Sequence, residues 1–122
     1  MASSTPKSMA LFLILFNVGM GWGLAAELTV GDQLGWRPLV NYYSWVNSKS
    51  IKLGDTLVFK YDATKDYSVA EVTQYKFIAC NTSNAEFFDN SGSSRVTLVE
   101  SGQHYFMAEG HCSDQMVFSV LV

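Results

Sequence analysis

Four residues of this 122-residue chain carry the sulfur or imidazole groups that bind copper and zinc strongly: Cys80, Cys112, His104 and His111. Both cysteines lie in the part of the chain that we expect to be secreted. An oxidising compartment favours a disulfide between them over the alternative of two free thiols. A thiol in a disulfide cannot act as a thiolate ligand. The two histidines are then expected to be solvent-facing or hydrogen-bonded, with weak surface binding of zinc or copper as the alternative.

The chain also contains residue types that serve in catalysis, without the pattern that catalysis requires. His111, Ser113 and Asp114 have the types of a nucleophilic triad, but closeness in sequence does not create the triad's geometry, and no Gly-x-Ser-x-Gly turn is present. Three acids could supply a carboxylate pair for acid–base catalysis: Asp62, Asp66 and Glu71. They lie in and beside a polar turn, where we expect them to be solvated. The sequence therefore predicts a protein that is not an enzyme.

One modification site stands out next to the first cysteine. Asn81-Thr82-Ser83 is an acceptor sequence for N-linked glycosylation, and it follows Cys80 directly in an expected surface loop. In a secreted chain we predict that Asn81 is glycosylated. An unmodified polar loop is the alternative.

Aromatic residues make up 14% of the chain, and several lie in or near expected loops: Trp36, Tyr42, Tyr43, Trp45, Phe87 and Phe88. Rings at the rim of a sandwich can bind sugars or protein partners. Filling of the core is the stronger expectation, because a small sandwich needs bulky side chains at its ends. Phe87 and Phe88 are neighbours on a strand and therefore point to opposite faces, so we expect one of them to be exposed.

The N-terminus has the layout of a secretory signal peptide. Lys7 precedes an apolar run from Met9 to Phe16, and small residues follow up to Ala25 and Ala26. We predict a signal peptide at residues 1–25 and a mature domain at 26–122, with cleavage after Ala26 as the near alternative. A retained membrane anchor is disfavoured, because polar and small residues interrupt the apolar stretch.

Composition and charge favour a single globular domain. Apolar residues make up 48% of the chain, which is enough for one core. The net charge is −3, with 8 Lys and Arg against 11 Asp and Glu, and no basic cluster stands out. Nucleic acid is therefore excluded as a partner.

The elements that must position these side chains are short strands separated by turns. Alternation of apolar and polar residues indicates strands at 28–30, 56–61, 69–72, 96–99, 104–106 and 116–122. One helical turn is expected within 73–79, and a loop at 90–94. Together with the strand expected at 87–88, this gives seven or eight strands without a long helix, which predicts an all-β antiparallel sandwich of two sheets.

A set of short motifs, taken in order and spacing, resembles the plant phytocyanins over the whole mature chain. The motifs are Val30-Gly31-Asp32, Gly35-Trp36, Asn41-Tyr42, Ser44-Trp45, Lys52-Leu53-Gly54-Asp55, Ala79-Cys80-Asn81, Ser101-Gly102, His104-Tyr105-Phe106 and Glu109-Gly110-His111-Cys112. The last of them, with Ala108 before it, is most similar to the early nodulin-like branch. The resemblance implies a cupredoxin-like Greek-key sandwich with a disulfide between Cys80 and Cys112.

The resemblance also implies where a copper site would lie. Copper-binding members use two histidines, one cysteine and an axial methionine or glutamine, which is the ligand set of a blue site. Carried onto this chain, those positions are Tyr67 for the first histidine, Ala108 for the cysteine, His111 for the second histidine and Met116 for the axial ligand. The loop between Phe106 and His111 is also shorter than in the copper-binding members. No copper or other cofactor is therefore expected.

The function that follows from the resemblance is a non-enzymatic binding or structural role at the plant cell surface or wall. An extracellular glycan or protein is the expected partner, the mature chain is expected to lack a membrane span, and a monomer is expected. The rival hypothesis is electron transfer by copper in a non-blue site that includes His111 and Met116.

Overall fold

A computed structural model of the protein describes residues 24–122. Of the predicted signal peptide, only the last two residues fall in this range, so its cleavage stays a prediction. Within residues 24–122, none of the helices has the length and apolar character needed to cross a membrane.

These residues form two β-sheets, which confirms the predicted all-β sandwich. The strands are β1 (Glu27–Thr29), β2 (Thr56–Lys60), β3 (Val69–Val72), β4 (Phe87–Asp89), β5 (Ser93–Thr97), β6 (Gln103–Met107) and β7 (Val117–Leu121). The first sheet has the order β1-β2-β5, and the second has the order β4-β3-β6-β7. Along the chain, β1 and β2 lie in the first sheet, β3 and β4 in the second, β5 in the first, and β6 and β7 in the second. This order agrees with a cupredoxin-like sandwich.

One strand pair departs from the antiparallel expectation. β1 and β2 run parallel, with Glu27 opposite Thr56 and Thr29 opposite Val58, whereas the other described pairs are antiparallel. Parallel neighbours need a long crossover connection. Residues 30–55 supply one, so the length of that connection permits the parallel pairing.

Two short helices and a 3-10 turn at Asp32–Leu34 interrupt the strands, where the sequence predicted one helical turn. The predicted turn is confirmed as α2 (Gln74–Ile78). It begins where the Thr73 hydroxyl accepts a hydrogen bond from the backbone N–H of Lys76, which is a standard N-cap.

The other helix, α1 (Tyr42–Asn47), was not predicted. The side-chain oxygen of Asn41 accepts a hydrogen bond from the backbone N–H of Ser44 at 3.1 Å and caps its start. Tyr42 and Trp45 are three residues apart and share its buried face. That spacing after an asparagine was the signal for a helix, but six residues are too few to show a periodic pattern.

Strand β5 begins and ends earlier than predicted. The sequence indicated a loop at 90–94 and a strand at 96–99, whereas the strand covers Ser93–Thr97. The cause is tertiary, since the five residues of β2 pair with those of β5, from Lys60 opposite Ser93 to Thr56 opposite Thr97. A pairing partner 33 to 41 residues away is invisible to a local pattern.

The core between the sheets is filled largely by aromatic rings. Phe118 lies near its centre, with ring centroids of Phe106 at 5.3 Å, Trp36 at 5.8 Å and Phe59 at 6.1 Å. Tyr42 adds its ring at 4.8 Å from that of Trp36. All five side chains are almost completely buried. The expectation that the loop aromatics fill the core is therefore confirmed for Trp36, Tyr42 and Trp45, whereas it is wrong for Tyr43, which is 44% exposed.

We expect Phe118→Ala to lower the free energy of unfolding by about 3–5 kcal/mol, because it leaves a cavity where several rings meet. Urea denaturation of the unmodified and variant proteins measures the change. Tyr75→Ala is the matched control, since Tyr75 is 82% exposed and its loss should change stability by less than about 0.5 kcal/mol. Equal losses in both variants would show that Phe118 is not central to the core.

Candidate functional site

The candidate site is built from two loops at one end of the sandwich. Tyr67 lies in the loop before β3, and the connection from β6 to β7 carries Ala108, His111 and Met116. Backbone hydrogen bonds close this connection on itself: Ala108 N–H to Met116 O at 3.0 Å, His111 N–H to Ala108 O at 3.1 Å, and Met116 N–H to His111 O at 3.2 Å. Three of the four positions are thereby held together.

Tyr67 completes the group. Its ring meets the imidazole of His111 edge-on, with the centroids 5.2 Å apart and the planes at 79°. Ala108 and Met116 are buried in the main core, and Tyr67 packs against the same cluster. The structure therefore brings together all four positions to which the resemblance assigns copper ligands.

His111 is held by a carboxylate on each side of its ring. Nδ1 lies 2.9 Å from Oδ2 of Asp114, and Nε2 lies 3.2 Å from Oδ1 of Asp66. The hydrogen bond to Asp114 raises the pKa of His111 above its usual 6.5, and Asp66 adds to this effect, while partial burial works against it. The geometry thus favours the imidazolium form, in which both nitrogens are donors and neither has a lone pair for a metal.

The residues at these four positions do not fit a blue copper ion. They offer a phenol, a methyl group, an imidazole and a thioether, whereas a blue site needs two imidazoles and a thiolate together with a weak axial ligand. Within residues 24–122, no three His, Cys, Asp or Glu side chains are arranged to hold a metal ion.

The cysteine sulfurs are used elsewhere. Cys80 and Cys112 form a disulfide, with their Cα atoms 5.9 Å apart, as both the secreted setting and the resemblance predicted. The bridge joins the end of α2 to the β6–β7 connection, directly after His111. It therefore restrains the loop that carries the candidate site.

Replacing both cysteines by serine should lower the free energy of unfolding by about 3–4 kcal/mol, since the bridge closes a loop of 32 residues in the unfolded chain. Thermal and urea unfolding of the unmodified and Cys80→Ser/Cys112→Ser proteins would measure the loss. Reduction of the unmodified protein is the control and should give a similar loss. Coincident unfolding curves would contradict a stabilising bridge.

His104 belongs to a separate hydrogen-bonded group in the second sheet. Its Nδ1 lies 2.6 Å from Oε2 of Glu71, and its Nε2 lies 2.7 Å from the backbone oxygen of Glu100. Burial alone would lower the pKa of His104, but the hydrogen bonds to Glu100 and Glu71 outweigh it and raise that pKa above 6.5. The imidazole is thus hydrogen-bonded, as expected.

The raised pKa of His104 makes part of the stability depend on pH. A group whose pKa is higher in the folded than in the unfolded protein stabilises fully below the unfolded value, here about 6.5, and the contribution disappears as the pH rises through the folded value. We expect the urea midpoint to decrease as the pH rises above about 6.5. This decrease should be less steep in His104→Gln than in the unmodified protein. Because His111 titrates with the same sign, His104→Gln/His111→Gln should be flatter still. Identical slopes in all three proteins would contradict this account.

The residues that the sequence analysis weighed as candidate catalytic groups face different partners. Both nitrogens of His111 face carboxylates, so neither is placed to take a proton from the exposed Ser113. The three acids point to different partners, since Asp62 accepts from Thr64, Asp66 faces His111 and Glu71 faces His104. Sequence reasoning considered Asp66 and Asp114 only as catalytic candidates. His111 and Asp114 are three residues apart, and that spacing could have indicated their contact. Nothing local in the sequence indicated that Asp66 also contacts His111.

A two-sheet sandwich with this cross-linked loop between its last two strands is a cupredoxin-type fold, and comparisons with known proteins place it more narrowly. The family model described as a plastocyanin-like domain matches residues 36–116. The chain is 32% identical over 124 residues to a blue copper protein of Pisum sativum, covering 100% of this chain and 65% of that protein. It is 36% identical over 129 residues to early nodulin-like protein 14 of Arabidopsis thaliana, covering 98% and 70%.

Solved structures agree with this placement. Cucumber basic protein, a blue copper protein, superposes with a TM-score of 0.69 at 32% identity, over 79% of this chain and 98% of that one. Cucumber stellacyanin gives a TM-score of 0.69 at 29% identity, over 81% and 96%. The chain therefore belongs to the phytocyanin family of the cupredoxin superfamily. It spans 65% and 70% of the lengths of the two relatives named above.

Proposed function

We propose that this protein is a copper-free phytocyanin that is secreted and acts as a non-enzymatic binding or structural module at the plant cell surface or wall. The observation that carries this proposal is the pair of carboxylate contacts made by the imidazole of His111. Its two ring nitrogens face Asp114 and Asp66, while Tyr67 and Ala108 occupy the positions of two of the three strong copper ligands.

Protein contacts take over the linking role that a metal would have at this end of the sandwich. A bound copper would join the loop before β3 to the β6–β7 connection. Here the ion pair of Asp66 with His111 and the ring contact of Tyr67 with His111 join the same two loops. Asp66 is 87% exposed, so the pair itself contributes little stability. Burial of Ala108 and Met116 in the core supports the loop instead.

The extracellular and non-enzymatic parts of the proposal have their own support. A disulfide in a small domain is typical of secreted proteins, and the chain is similar to early nodulin-like protein 14 along most of its length. The candidate catalytic groups within residues 24–122 are dispersed over different partners. This dispersal supports a binding or structural role, for which we propose a monomer with an extracellular glycan or protein as partner.

The rival function is electron transfer by copper bound to His111 and Met116. It is favoured by the similarity to blue copper proteins and by the closeness of the two residues, whose backbones share a hydrogen bond of 3.2 Å. Against it, Asp114 and Asp66 already engage both nitrogens of His111, and the Met116 side chain is completely buried in an apolar cluster.

Copper titration of the oxidised protein separates the two functions. We expect no intense thiolate-to-copper absorption band and less than one copper per chain after dialysis, because no thiolate is available. His111→Gln and Met116→Leu are the matched variants, and neither should change the copper content. A blue copper relative serves as the positive control. Binding of one copper per chain that both variants lose would establish the rival function. An intense blue absorption band would contradict the hypothesis that the protein is copper-free.

The proposed binding role needs a separate measurement. The mature protein, labelled and applied to an array of plant glycans and cell-surface proteins, should bind a defined subset. Specific binding that an excess of unlabelled protein displaces supports a binding module. If no displaceable binding is found on the array, the binding role is contradicted and the structural role is favoured.

A further inference from the structure

The loop that carries the acceptor sequence is rigidly held. Oδ1 of Asn81 accepts hydrogen bonds from the backbone N–H and the hydroxyl of Ser83, at 2.9 and 2.7 Å. The side-chain amide nitrogen, which is the atom that receives a glycan, stays outside this arrangement on an exposed residue. The direction in which a first sugar would leave the protein is therefore restricted.

Four further contacts fasten the loop to α2 and to the β6–β7 connection. The backbone N–H of Asn81 donates to the carbonyl of Lys76 at 2.9 Å. The ammonium group of Lys76 donates to the carbonyls of Ser83 and Asn84, at 2.8 and 3.2 Å. The disulfide of Cys80 fixes the start of the loop.

An open cavity of about 500 Å³ lies directly beside this loop. Its walls are residues 80–85 together with Phe88, Glu109 and Gly110. Asn81 is thus part of the wall, and a group attached to its side chain starts from a residue that lines the cavity.

Phe88 contributes the aromatic surface of this cavity. Phe87 and Phe88 alternate on β4, so that Phe87 packs against the main core and Phe88 points outwards, with 47% of its surface exposed. An exposed aromatic ring flanked by polar groups, here Asn84 and Glu109, is suited to a ligand that has one apolar face and several hydroxyl or amide groups. An N-acetylglucosamine ring has that combination.

We propose that Asn81 carries an N-linked glycan and that its first N-acetylglucosamine lies in this cavity against the ring of Phe88. The covalent link keeps the sugar at high effective concentration beside Phe88, so even a weak ring contact is populated. The occupant of the cavity is then the protein's own glycan rather than an external partner.

The attachment needs a lipid-linked oligosaccharide diphosphate as donor, which is available only to a chain that enters the secretory pathway. The bond from the sugar C1 to the phosphate oxygen breaks, a bond from C1 to Nδ2 of Asn81 forms, Nδ2 loses one proton, and the lipid diphosphate leaves. The inference therefore rests on the secretion included in the proposed function.

The first test is occupancy. The full chain, with its own predicted signal peptide, is expressed in plant cells. In parallel, the mature domain is expressed with a signal peptide of the host. Glycopeptide mapping should find a glycan on Asn81 in both. If only the host leader gives a secreted glycoprotein, secretion by the chain's own leader fails while this inference stands. An unmodified Asn81 behind the host leader would overturn the inference.

The second test is position. After trimming to a single N-acetylglucosamine, nuclear Overhauser contacts are expected between the sugar protons, including the acetyl methyl, and the ring protons of Phe88. Phe88→Ser identifies those ring signals by their loss. A glycan without contacts to Phe88 points into solvent and overturns the placement.

Melting temperatures give an independent readout of the same contact. The glycosylated protein should melt a few degrees above its Asn81→Asp variant, which mimics enzymatic release of the sugar. Phe88→Ser should abolish this gain, whereas Tyr75→Ser, which changes an exposed ring outside the cavity, should keep it. An equal gain in all three backgrounds would show that the sugar does not use Phe88. If Phe88→Ser does not fold, the magnetic resonance contacts decide.

Discussion

The packing of aromatic rings around Phe118 is the interaction on which the rest of this structure depends. Phe59 comes from the first sheet, Phe106 and Phe118 from the second, and Trp36 from the long connection before α1. Because these rings lie between the sheets, they decide how the two sheets sit on each other. Trp36 also extends this control to the loops, since its indole N–H donates to the carbonyl of Ser68 at 2.8 Å.

The loops of the candidate site are thus attached to the core by hydrogen bonds between protein groups. Ser68 follows Tyr67 directly, and its hydroxyl accepts a hydrogen bond from the backbone N–H of Glu109 at 3.0 Å. The same short segment therefore bonds to Trp36 on one side and to the β6–β7 connection on the other. In a sandwich whose end loops are tied by protein contacts, the residues at the four candidate positions are open to change. Fold and function can diverge for that reason.

The second sheet carries a smaller apolar cluster on its outer face. Ala70, Val72 and Met107 form its centre, and α2 covers it through Phe77, while Cys112 packs at its margin. The disulfide and α2 together cover apolar surface that a short sheet could not bury alone. The loop that follows α2 is anchored by these contacts, and Asn81 lines the same cavity as the exposed ring of Phe88.

The sequence by itself determined the class of fold, the family and the cysteine pair, because these depend on patterns that local chemistry imposes. Period-two alternation marks a strand wherever one face is buried, and it correctly separated Phe87 from Phe88. The ordered motifs correctly indicated the family. The turn within 73–79 was predicted because Tyr75 and Ile78 are three residues apart, which is a helical spacing.

Only the tertiary structure decided which distant residues meet. The ends of β5 follow from its pairing with β2, and the parallel run of β1 beside β2 follows from a connection whose path no local pattern describes. The same holds for the candidate site, where Asp66 reaches His111 across 45 positions of the chain. The packing of two sheets creates such contacts, so a sequence shows which groups are available, whereas the fold determines which of them face one another.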